Sequence, residues 1–158
     1  MSAQRFAGRD HNSHREARVR GLKNIFFLPG QPRARIPGIL GSSDAVLIHL
    51  RDDPLFASVI PSKVFEAMAM ARPIILGGKG ESAGLVRESG CGIVVPPENA
   101  EEIVRAATRL AADAGFARSL GDSGRRVAEE RFSRRASALR MLDVLRDVAE
   151  ARLGPDGS

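Results

Sequence analysis

The stretch PSKVFEAMAMARPIIL, residues 61–76, carries the reading of the fold. Proline suits the first turn of a helix, because its missing N–H has no partner there anyway. Pro61–Ala71 therefore reads as a helix, with Phe65, Met68 and Ala69 turned toward a sheet. Pro73–Leu76 (PIIL) then reads as a buried strand. The pattern continues outward in both directions. Upstream, Asn24–Leu28 (NIFFL), which ends at Pro29-Gly30, and Ala45–Leu50 (AVLIHL) are predicted strands. Arg33–Gly41 between them is a predicted short helix, Pro37 notwithstanding. Downstream come a glycine-rich turn at Gly77–Gly80 and a helix at Glu81–Ser89 that stops at Gly90. A last strand, Gly92–Val95 (GIVV), stops at Pro96-Pro97. Short apolar strands alternating with helices imply an α/β fold, a parallel sheet covered on both faces and wound by right-handed crossovers.

Beyond residue 98 the pattern is helical. Asn99 and Glu102 form an N-cap with its reciprocal partner, and Ile103, Val104, Ala107, Leu110 and Ala111 make one apolar face. Phe116–Phe132 is a second predicted helix, which Gly121 and Gly124 could interrupt. Ser133 would cap a third, with Leu139, Leu142, Leu145 and Ala149 as its buried stripe. The expected organisation is a ragged polar segment (1–20) with a helix near Ser13–Arg20, an α/β core (21–98), a helical extension of the same domain (99–152) and a disordered tail (153–158).

A chain of 158 residues buries roughly two thirds of its unfolded surface, enough for one core. At 43% hydrophobic and 27% charged residues, intrinsic disorder is excluded. No uncharged apolar run reaches about 18 residues, so no membrane-spanning helix is expected. The single Cys91 excludes an intramolecular disulfide framework and a multi-cysteine zinc site. Arg5, Arg9 and Asp10 interrupt anything resembling a signal peptide, which makes the cytoplasm the expected compartment. The net charge is +5, carried by 21 arginines and three lysines. It reads first as a solvated basic surface, then as attraction to a phosphate-bearing ligand or to anionic lipid at the inner membrane face. Without Trp or Tyr, and with seven Phe not interleaved among basic residues, the chain lacks a stacking platform, and no nucleic-acid partner is expected.

In an open parallel sheet, ligands bind outside the carboxyl ends of the strands. The segments expected there are Pro29–Arg33, His49–Pro61, Gly77–Glu81 and Pro96–Glu98. The richest chemistry begins at Pro61. Free amides in a helix's first turn carry partial positive charge and favour a phosphate. Ser62 can add a hydroxyl and Lys63 an ammonium, and Glu66 shares their side of the helix. A carboxylate one turn inside can accept both hydroxyls of a ribose. The plainer alternative is a capped helix with a Lys63–Glu66 surface pair.

These residues also carry a family resemblance. The stretch from DDPLF through IPSKVFEAMAMARPIILGGKGESAGLVRESGCGIVVPPENAEEI resembles the donor-binding half of a family 4 (group 1) glycosyltransferase of the GT-B fold. The upstream pieces KNIFFLPGQP, IPGIL and SDAVLIHL fit the same pattern. It is most similar to bacterial N-acetyl-fucosamine-type transferases of polysaccharide assembly, over about Gly21 to Leu145. The resemblance implies a Rossmann-like sheet, one half of a GT-B fold, that binds a nucleotide-sugar, with a UDP-sugar favoured. The sugar would pass to a glycan or lipid-linked acceptor without cofactor or metal. By this resemblance Glu66 matches the second glutamate of the family's E-x7-E motif and holds the ribose. Ser62 and Lys63 meet the diphosphate, with Lys63 stabilising its departure, and Gln31 and Arg33 bracket the base. Gly77, Gly78 and Glu81 lie beside the sugar and diphosphate.

The sequence departs from the family pattern in two places. Ser58 stands where the motif has its first glutamate. The family's acceptor domain precedes the donor domain, and residues 1–20 supply neither it nor a clear opening strand, Gly8-Arg9 being at most a remnant. The isolated chain is therefore expected to lack activity, and to need the missing acceptor domain or a partner chain that carries it; the alternative is a non-catalytic binding or interaction module. His11 or His14 could stand in for a missing basic residue there, but both read first as solvated.

His49, Arg51, Asp52 and Asp53 read as a polar strand end with a capping Asp-Asp-Pro, or as a lining of the donor-sugar pocket. Two adjacent aspartates with no third ligand nearby do not make a metal site. Cys91, between two glycines, reads as a small core residue, and Lys79 and Arg87 as surface residues. Gly77, Gly78 and Gly80 do not match a nucleotide-triphosphate or dinucleotide fingerprint.

Overall fold

A computed structural model describes residues 14–153. The readings of Gly8-Arg9, His11 and the tail beyond Leu153 fall outside the described residues. The chain divides into two compact units, Met1–Arg35 and Ile36–Ser158.

In the first unit, residues 14–19 are helical (α1). The His14 ring lies on Phe27, with centroids 3.7 Å apart, so this histidine packs on an aromatic ring. The strand predicted at Asn24–Leu28 is absent, and the segment is irregular with Phe26 and Leu28 exposed. An apolar run becomes a strand only where a neighbour completes its backbone hydrogen bonds, and no ladder partner exists among the described residues.

The second unit holds the sheet. Its strands are β1 (Val46–His49), β2 (Ile74–Gly77) and β3 (Gly92–Val95), all parallel in the order β1-β2-β3. In register, His49 pairs with Gly77 and Gly77 with Val95, so these three mark the carboxyl edge. The predicted turn at Gly77–Gly80 is thus shorter, because Gly77 ends β2 and Gly80 already begins a helix.

After a 3-10 turn at Arg33–Arg35 come α2 (Ile36–Gly41), α3 (Pro54–Ala57) and α4 (Ser62–Ala69). Then follow α5 (Gly80–Glu88), α6 (Ala100–Ala112) and α7 (Ala114–Val127). A π-helical turn (Ala128–Phe132) joins α7 to α8 (Arg134–Leu153). Side chains alternate across β2, and each face has its own core. Ile74 and Leu76 pack with Val64, Ala67 and Met68 of α4 and Val86 of α5. Ile75 packs on the other face with Val95, Ala106 and Leu110. The α/β architecture read from the sequence is the one observed.

Three details differ from expectation. The inward face of α4 is Val64, Ala67 and Met68, while Phe65 is half-buried and Ala69 exposed. Helix α7 runs unbroken through Gly121 and Gly124, because both glycines serve close packing. A Cβ on Gly121 would strike the Ala71 carbonyl, and one on Gly124 would lie 2.9 Å from the Cys91 Cβ. Leu139, Leu142 and Leu145 of α8 are exposed, since this helix packs mainly on the π turn before it. Periodicity announces a face that favours burial but not what covers it.

The expected caps form. The Asn99 side chain accepts the Glu102 N–H at 3.1 Å and Ser133 Oγ accepts the Ala136 N–H at 3.1 Å. The Glu102 carboxylate reaches Arg105 rather than turning back to Asn99. Among the described residues, no helix is long and apolar enough to cross a membrane.

Candidate functional site

Parallel strands joined by helices place the helix starts after each strand at the carboxyl edge of the sheet. Here α4, α5 and α6 begin there, at Ser62, Gly80 and Ala100. Each start brings unpaired backbone N–H groups and partial positive charge to one edge.

At α4 the cap residue is Pro61, extended at φ −62° and ψ 139°, and no side chain caps the helix. The Val64 N–H donates to the Pro61 carbonyl at 3.0 Å. Ser62, Lys63 and Glu66 are exposed. The Lys63–Glu66 surface pair does not form, and among the described residues neither side chain is engaged in an ion pair or hydrogen bond. Glu66 lines an open cleft of about 800 Å³ with Phe65, Ala69, Phe132, Ser133 and Arg134. Phe65 meets Phe132 edge to face, at 4.9 Å and 62°, and forms the apolar wall of that cleft.

The other predicted site residues are placed as follows. Gly77 and Gly78 are buried, and the Gly78 N–H donates to the Val95 carbonyl at 3.2 Å. Their backbones thus extend the sheet. Glu81 is exposed in the first turn of α5. Gln31 and Arg33 belong to the first unit. There the Gln31 amide donates to the Pro29 carbonyl at 2.8 Å, and Arg33 is exposed in the 3-10 turn. The α4 residues, Gly77, Gly78 and Glu81 all belong to the second unit.

The Asp-Asp-Pro loop has two separate duties. Asp53 caps α3, accepting the Leu55 N–H at 2.9 Å. Asp52 takes Lys79 in a bidentate pair at 2.8 and 3.0 Å. The pair is about half exposed, so it contributes under about 1 kcal/mol of stability. It does tie the loop after β1 to the loop after β2, beside a small cleft of about 160 Å³ that includes Phe56 and Pro97. Sequence reasoning assigned Lys79 only to the surface, because nothing local signals a partner 27 residues away. Ser58 ends α3.

His49, the last residue of β1, reaches across the edge. Its Nε2 accepts the Glu98 backbone N–H at 2.8 Å. The ring passes over Gly77, where a Cβ would come within 3.0 Å of Cδ2. Glu98 sits in the left-handed region at φ 59°, an uncommon conformation for a residue other than glycine. Among the described residues, no three His, Cys, Asp or Glu side chains gather as metal ligands would.

A parallel three-stranded sheet with helices packed on both faces defines a Rossmann-like domain. Residues 4–113 match the family described as Glycosyl transferases group 1, and the chain belongs to that family. It is 30% identical over 128 residues to O-antigen chain mannosyltransferase C of Escherichia coli, covering 75% of this chain and 32% of that protein. A glycosyltransferase from Rickettsia africae superposes with a TM-score of 0.76 at 17% identity, over 93% of this chain and 38% of that one. HepE of Anabaena, solved with UDP-glucose, gives 0.72 at 18% identity over the same shares. The chain thus spans about a third of the length of these relatives.

Proposed function

We propose that this chain is the donor-binding half of a glycosyltransferase that takes a sugar from a nucleoside diphosphate, with a UDP-sugar favoured. The observation that carries the reading is the start of α4, where uncapped amides, a free Lys63 and a free Glu66 share one exposed turn. The amides, Ser62 and Lys63 bind the diphosphate, and Glu66 accepts the ribose hydroxyls. Catalysis is electrostatic. Positive charge fixed in advance at the helix start and on Lys63 stabilises the diphosphate as the bond to the sugar breaks. Glu81 with the Gly77-Gly78 backbone borders the sugar.

Transfer needs an acceptor-binding domain, supplied by a longer chain or by a partner chain, and the isolated chain binds without transferring. The exposed apolar side chains of α8, Leu142 and Leu145 among them, support a partner over a free-standing binding module. The E. coli relative's O-antigen role suggests polysaccharide assembly, with a glycan or lipid-linked acceptor and work at the inner membrane face.

Calorimetry with UDP, GDP and ADP tests the reading. One nucleotide should bind, and Glu66→Ala should weaken it by about tenfold, the loss of one or two hydrogen bonds to a charged group. Binding that is indifferent to Glu66 would reject the site.

A further inference from the structure

His49 holds its place through Nε2, and that bond fixes the chemistry of the other ring nitrogen. A nitrogen that accepts the Glu98 N–H carries no proton of its own. In the neutral imidazole the proton then sits on Nδ1. Among the described residues, no acceptor engages Nδ1. The Cδ2–Nε2 side of the ring faces Gly77 and Glu98, which turns Nδ1 away from both. The residue is exposed at the carboxyl edge, where the start of α4, with no side-chain cap and no acidic residue in its first turn, favours an anion. Two costs accompany the arrangement. Glu98, whose N–H meets the ring, is held in a left-handed conformation, and a Cβ at position 77 would crowd the ring at 3.0 Å. A plain strand end would need neither.

We propose that His49 is a further ligand-binding residue, whose Nδ1–H donates to a diphosphate oxygen of the bound nucleotide-sugar. Glu98 acts through His49 as a positioning residue that selects the donating tautomer. The inference deepens the donor-binding reading above and rests on it.

The two ring nitrogens can be separated by substitution. Glutamine reaches as far as Nε2 and can accept the Glu98 N–H, but it offers no donor at the Nδ1 position. Asparagine offers an amide near Nδ1 but falls short of Glu98. The wild-type chain, His49→Gln and His49→Asn are titrated with UDP and with uridine by calorimetry. Amide hydrogen exchange at Glu98 follows the loop. His49→Gln should keep Glu98 protected yet bind UDP about tenfold more weakly, with uridine unaffected. His49→Asn should lose the protection at Glu98 and bind UDP more tightly than His49→Gln. Nitrogen-15 spectra of the wild-type imidazole should show the proton on Nδ1, and that resonance should move with UDP but not with uridine.

Equal UDP affinity in wild type and His49→Gln, with Glu98 still protected, overturns the assignment while leaving the donor-binding reading intact. A free-chain spectrum with the proton on Nε2 overturns it by itself. UDP binding that is lost in Glu66→Ala but unchanged in both His49 variants assigns the diphosphate to α4 alone. Failure of the wild-type chain to bind any nucleotide overturns the donor-binding reading and this inference with it.

Discussion

Cys91 shows what the fold does to a single side chain. It is fully buried between Gly90 and Gly92, and burial pushes its thiol up to about 11 from an ordinary 9.0. The folded chain keeps this proton at a pH where the unfolded chain releases it. The associated stability is complete below pH 9 and is lost as pH rises toward 11. Urea unfolding of wild type and Cys91→Ala across that range should show the wild type losing more stability, and the two curves should run parallel below about pH 8. The core role of Cys91 was legible from its apolar surroundings, as was the capping role of Asp53 from the proline after it. The bond from His49 to Glu98 was not, because it joins residues 49 positions apart and depends on a backbone angle that no local pattern encodes. At this scale a sequence displays caps and hydrophobic positions, and conceals contacts made by the crossing of distant loops.

Helix α7 makes the same point one level up. Its glycines look like helix breakers, but Gly121 lies against the Ala71 carbonyl, where the end of α4 leaves no room for a methyl group. Gly121→Ala should therefore cost about 1–3 kcal/mol through overpacking, despite the better helix propensity of alanine. Gly84 in α5 faces open space, so a methyl group there would meet no neighbour within 4 Å. Gly84→Ala should instead stabilise by up to about 1 kcal/mol. Thermal or urea unfolding of the two variants should give opposite signs. Strands β1, β2 and β3 were readable because each is an apolar run with a partner. Asn24–Leu28 had the run without the partner. The grouping of Pro61, Ser62, Lys63 and Glu66 was readable for a similar reason, since they lie within one turn and a half of helix. The wall of the cleft beside Glu66 was not, because Phe132 arrives from the π turn that follows α7.

For the molecule as a whole, α8 is the feature without a counterpart. Leu139, Leu142 and Leu145 are each about half exposed or more, as are Met141 and Val144. A chain that leaves such a strip open should self-associate as concentration rises. Sedimentation velocity should show Leu142→Glu with Leu145→Glu shifting the chain toward monomer. The unfolding free energy should move by no more than about 0.5 kcal/mol per substitution, as expected at exposed positions.

The three parallel strands have a consequence for how a ligand arrives. Because α4, α5 and α6 all begin at one edge, their peptide dipoles point the same way, and the domain carries an electrical direction as well as a net charge. An anion that reaches this edge meets that field before it touches any side chain.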